Sequence, residues 1–119
     1  MTSDEAQAFA DDWYAAWNSH DLEAILAHYD EALVFSSPNI KALGASPDGV
    51  LSGRDKVAAY WRKALELRPD LAFTPEHVLV GTDSVTLTYT SSVGRRAAEV
   101  FFFGPDGKVV RSAAHYADL

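Results

Sequence analysis

The sequence predicts an α+β fold, with helices from the first half of the chain packed on one face of a bent sheet from the second half. Two patterns carry this expectation. Before Pro69, apolar residues recur at three-and-four spacing in separate segments, as on the buried stripe of a helix. After Pro69 the chain is a succession of β-branched and aromatic runs, joined by short connections rich in Gly, Pro and Asp.

The first helix opens on Thr2-x-x-Glu5, the form of a capping box, and Ala6, Phe9, Trp13, Ala16 and Trp17 make its apolar stripe. Asn18-Ser19-His20 breaks it. Ser19 or Asp21 can cap a short second helix whose Leu22, Ile25, Leu26 and Tyr29 share a face. Alternation from Ala32 to Ser37 reads as a strand, ended by Pro38. Asn39 to Ser52 is Gly/Pro/Ser-rich, with a turn signal at Pro47-Asp48-Gly49, and reads as a flap containing a short strand. Ser52 is the expected cap of a third helix, which buries Val57, Tyr60, Trp61, Ala64 and Leu65 and stops before Pro69. Strands are expected over 71–80, 85–93, 95–103 and 108–117, antiparallel because their connections are short.

With 119 residues there is room for one domain, 1–119, and for one core without staples. The absence of cysteine excludes disulfides, thiolate catalysis and cysteine-bound metal, and fits a reducing cytoplasm. A formal charge of -7 repels phosphate backbones, so nucleic acid is not an expected partner. The acidic start, Met1 to Glu5, has no apolar stretch of a signal peptide, and no apolar run approaches a bilayer span. A soluble cytoplasmic protein is the expectation. The histidines His20, His28, His77 and His115 lack metal-ligand spacing, so neither a metal nor a cofactor is implied.

Four segments, in order along the chain, carry a resemblance. They are Ala15-Ala16-Trp17-Asn18-Ser19-His20-Asp21-Leu22, Ser36-Ser37-Pro38, Leu51-Ser52-Gly53-Arg54 and Gly107-Lys108-Val109-Val110. Together they resemble the nuclear-transport-factor-2-like superfamily, in its SnoaL-like and ketosteroid-isomerase-like branch. The resemblance implies a cone-like roll: three helices on a strongly curved, mainly antiparallel sheet that encloses a pocket. It does not imply one function, since this fold hosts isomerases, dehydratases, cyclases, hydrolases and silent proteins.

Ketosteroid isomerases use an aspartate base with an oxyanion hole of a tyrosine and a protonated aspartic acid. The base position, before a proline at the end of the first strand, is Ser37 here, which is no base near neutral pH. The oxyanion tyrosine corresponds to Trp13, with Tyr14 one residue out of step. The acid position, two residues before an aromatic, holds Glu99, followed by Phe101. The isomerase set is therefore incomplete.

Glu99 is the leading candidate. Alternation puts it on one face with Ala97, Phe101 and Phe103. If Phe103 pairs with Lys108, Glu99 lies opposite Ser112, with Ala114 and Tyr116 on the same face. A carboxyl among aromatics resists ionisation and suits a general acid or hydrogen-bond donor. Ser37 and Tyr116 are its candidate orienting groups. Trp13, Trp17, Phe35, Trp61, Phe101 and Ser112 are candidate pocket lining, and Trp13, Trp61 and Tyr116 match cavity-facing positions of the superfamily. His115 falls on the opposite parity, and only a bulge would turn it towards Glu99. The outer face of the last hairpin carries Val100, Phe102, Val109 and Ala113, apolar residues that a homodimer would cover, as related folds pair through this surface.

Three functions follow. One is a pocket that performs proton transfer (isomerisation, cyclisation or dehydration) on a small apolar carbonyl or ring compound. The second is a non-catalytic binder using the same pocket, and the third an interaction module using the outer sheet face.

Overall fold

A computed structural model describes residues 1–118. Helix α1 (Ser3–Asn18) begins at the expected capping box: Thr2 accepts from the Glu5 N–H, and the Glu5 side chain accepts from the Thr2 N–H. Helix α2 (Leu22–Leu26) is capped by Asp21, whose carboxylate accepts from the Ala24 N–H at 3.1 Å. Strand β1 (Tyr29–Ser36) follows, then α3 (Pro38–Ala42), β2 (Val50–Ser52), α4 (Arg54–Leu67), β3 (Phe73–Val80), β4 (Ser84–Ser91), β5 (Arg96–Phe103) and β6 (Val109–Tyr116). The strands form one six-stranded curved sheet in the order β2-β1-β6-β5-β4-β3. All neighbours are antiparallel except β1 and β6, which run parallel.

Burial alternates along β4 and β5: Val85, Leu87 and Tyr89, with Ala97, Glu99 and Phe101, point to the concave side. Helix α1 lays Trp13 and Trp17 against that side, and α4 adds Val57 and Trp61. Trp13 stacks on Phe73 at 5.6 Å, and Trp61 meets Trp17, Tyr29 and Phe35 at centroid distances of 5.3, 4.9 and 5.2 Å. The α+β class and the curved, mainly antiparallel sheet are as expected, but the described residues form four helices, not three.

Several local expectations are corrected. Tyr29 belongs to β1 and not to the face of α2, because its ring is fully buried and its hydroxyl accepts the Trp13 indole N–H at 2.9 Å. The 39–52 segment is not an irregular flap throughout. Pro38 opens α3, a position where its missing N–H costs nothing, and Ser37 caps that helix by accepting from the Asn39 N–H. Its far end does hold the short strand, β2. Gly49 closes the loop back on Ser37. It accepts from the Ser37 N–H at 3.0 Å, with φ +74° and with Ser37 O only 3.2 Å from where a Cβ would stand. Ser52 pairs with Val34 inside the sheet, so the cap of α4 is Gly53, with φ +98°.

The last hairpin differs in register. Phe103 pairs with Val109, and a bulge before Phe102↔Arg111 leaves Val110 without a partner. Glu99 therefore lies opposite Ala114, and Ser112 opposite Phe101. The slip is by two residues, so the expected face is kept although the partners change. Val109 is fully buried and faces the core, which removes it from the outer apolar surface.

Candidate functional site

Between α1, α4 and the concave sheet lies a cavity of about 350 Å³. Trp13, Trp17, Trp61, Phe35 and Phe73 form its apolar walls, and Ser37, Tyr89, Glu99 and Tyr116 are among the polar side chains on it. Exposed Leu43, Leu67 and Val93 border it where it meets the surface. A few polar groups in an otherwise apolar concavity is the make-up of a small-molecule site.

Glu99 is buried, and both its oxygens accept hydrogen bonds: Oε1 from the Tyr89 hydroxyl at 3.2 Å and Oε2 from the Ser112 hydroxyl at 3.3 Å. Burial pushes its carboxyl up to about 7, against the pull of those two hydrogen bonds, which favour the ionised form. An acid that titrates near neutrality gives up and regains a proton readily there. Tyr116 is half-buried. Burial first, then the Glu99 charge, raises its hydroxyl above the ordinary value, while Ser37, Arg95 and Asn39 pull it down. Tyr60, also on the cavity, is pushed up to about 12 by burial.

The structure brings together most of the expected residues. Trp13, Trp17, Phe35, Ser37, Trp61, Glu99 and Tyr116 all border the cavity. Phe101 and Ser112 do not. Phe101 is fully buried behind the wall, edge-on to Phe9 and Trp13, and Ser112 reaches Glu99 from below as a hydrogen-bond donor. Ser37 accepts from the Asn39 N–H as the cap of α3, and among the described residues no carboxylate or imidazole is hydrogen-bonded to it. Trp13 commits its indole N–H to Tyr29. Tyr14 is turned from the cavity: it donates to the Thr88 carbonyl at 3.3 Å and borders a separate groove between α1 and β3. His115 pairs with Ala98 on the convex face and is exposed, so no Glu99–His115 pair forms. The bulge that could have turned it inward sits earlier in the hairpin and preserves its parity.

Tyr89, Asn39 and Arg95 were not singled out by sequence. The signal for Tyr89 was present in its alternation with Val85 and Leu87, but its nearness to Glu99 needs the β4–β5 register, which pairs Tyr89 with Ala97 and Leu87 with Glu99. Among the described residues no three His, Asp or Glu side chains gather as metal ligands would, and no helix is long and apolar enough to cross a membrane.

The sequence pattern of the SnoaL-like domain matches residues 10–116. A SnoaL-like protein of unknown function from Burkholderia thailandensis is 50% identical, with a TM-score of 0.93 and 98% of each chain covered. IdmH from Streptomyces antibioticus, a candidate polyketide cyclase, shares the fold at 18% identity and a TM-score of 0.77, over 95% of this chain and 92% of its own. TerC, crystallised with polyporic acid, does so at 16% identity and a TM-score of 0.76, over 93% of this chain and 90% of its own. No curated protein matches. Sequence pattern and fold agree over nearly the whole length, and the chain belongs to the SnoaL-like family.

Proposed function

We propose that this protein binds a small, largely apolar carbonyl or ring compound in the aromatic cavity and assists proton transfer on it, as isomerisation, cyclisation or dehydration. The observation that carries the reading is Glu99, a buried carboxyl on the cavity wall whose proton is held up to about pH 7. In its acid form Glu99 donates a hydrogen bond to a ligand oxygen that gains negative charge, while Tyr89 and Ser112 steady the carboxylate left behind. Tyr116 orients the ligand from the neighbouring strand, and Trp13 and Trp61 are walls. The folds of IdmH and TerC lend support: one is a candidate cyclase of polyketides and the other was crystallised with polyporic acid.

The test is a thermal-shift screen against polyketide, steroid, terpenoid and aromatic ligands, followed by turnover assays on the hits. A ligand at about 100 times its Kd stabilises the native state by about 2.7 kcal/mol, several degrees of Tm in a domain of this size. Glu99→Gln should leave binding largely intact and lower turnover by about 100-fold or more. The wild-type rate should fall as pH rises through about 7, where the acid form is lost. Binding without conversion replaces catalysis by a carrier role, and conversion indifferent to Glu99→Gln takes Glu99 out of the mechanism. A flat screen removes the pocket reading.

A further inference from the structure

In a chain of formal charge -7, two arginines border the cavity. Arg68 lies beside Asp70 at 3.8 Å, both side chains well exposed. Arg95 is different: it is half-buried, and among the described residues it pairs with no carboxylate. Its guanidinium carbon sits 5.5 Å from the centre of the Tyr116 ring. Arg95 immediately precedes β5, four residues before Glu99, so their backbones stand about 13 Å apart. One end of the cavity is thus a cation with no carboxylate partner among the described residues, and the interior a proton donor. A second donor is also without a partner among them. The Trp17 indole Nε1 is buried with no acceptor among the described residues, and Trp17 borders the cavity. Buried polar groups are nearly always paired, and an orphan donor on a cavity wall is open to an acceptor that enters the cavity.

From these we infer that the cavity selects an organic anion, a ring-bearing carboxylate whose charged group is held by Arg95 and whose apolar body lies among the tryptophans. The inference rests on the pocket reading above and narrows its ligand class. A guanidinium meets a carboxylate in two parallel N–H···O bonds, a geometry that lysine cannot supply. Tyr116 backs the guanidinium plane, and exposed Leu43, Leu67 and Val93 give the ring body an apolar collar on entry. Ser91 accepts from the Arg95 backbone N–H at 3.2 Å, which anchors the turn that carries the arginine.

The matched probes are anthracene-2-carboxylate and its methyl ester, titrated by calorimetry at about pH 6, where Glu99 keeps its proton. The wild type should bind the acid at least about ten-fold more tightly than the ester. Arg95→Gln should abolish that preference by weakening the acid far more than the ester, and Arg95→Lys should restore part of it. Trp17→Phe should weaken both probes alike; an unchanged affinity takes the indole out of the recognition. Equal binding of acid and ester by the wild type, or a preference that survives Arg95→Gln, overturns the inference while leaving the pocket in place. Failure of both probes, together with a flat screen, removes the pocket and the inference with it.

Discussion

The two faces of β5 carry residues of similar type in opposite surroundings. On the concave face Ala97, Glu99 and Phe101 are buried; on the convex face Arg96 and Phe102 are exposed, with Ala98 and Val100 intermediate. The charged group on each face has a different fate. Glu99 loses its water and keeps its proton up to about pH 7, held between Tyr89 and Ser112. Arg96 lies 3.6 Å from Glu76 at the surface, where such a pair contributes little. One pleated strand therefore presents a chemically strained carboxyl to the cavity and a plain, partly apolar surface to the outside. The convex face also aligns Leu79, Thr86, Val100 and Ala113 in one cross-strand row, with Phe102 beside it. We propose that a second copy of the chain covers this row.

The largest contrast is expected from two adjacent phenylalanines. Phe101→Ala should lower stability in urea by about 3–5 kcal/mol at every protein concentration, since it opens a void beside Trp13 and Phe9. Phe102→Ala should cost less than about 1 kcal/mol in dilute protein, and more only where chains associate. Equal costs for the two would break the division of faces.

Next comes the pH dependence of stability. Glu99 titrates near 4.5 when unfolded and near 7 when folded, so the native state binds the extra proton between those values. Its contribution is fully present below about pH 4.5 and is lost as pH rises to about 7, a difference of about 3 kcal/mol. Glu99→Gln should therefore gain on the wild type as pH is raised from 5 to 8, read from urea midpoints; parallel profiles would place Glu99 in contact with water. The smallest effect sharpens the convex side. Sedimentation at micromolar concentration should find a dimer that Phe102→Glu converts to monomer without changing ligand binding in the cavity. A wild-type monomer at that concentration ends the proposal of pairing.

Much of this was legible in the residues, and the misses have a common cause. The capping box at Thr2, the stripe of α1 and the alternation that turns Glu99 inward are local patterns, and they hold. Tyr29 satisfied the same local test for the face of α2 and yet lies in β1, because a buried bond from Trp13 and a place in the sheet were worth more than one further turn of helix. The hairpin register failed similarly. The Val109 N–H donates to His28 O at 2.9 Å and the Lys108 ammonium to Ala27 O at 2.6 Å, so the start of β6 is held by the chain before β1 and not by its own turn. Val110 is squeezed out as the bulge.

The candidate site divides along the same line. Membership of the concave face follows from side-chain parity, a period-two property that survives a slip of two residues, and so Glu99, Tyr116 and the aromatic walls could be named from the sequence. Which of them meet could not. Tyr89 beside Glu99, Ser112 beneath it, and Arg95 over Tyr116 depend on strand pairing and on helices brought in from far along the chain. The raised carboxyl is likewise a tertiary property, since it is the closing of tryptophans and sheet around Glu99 that removes its water.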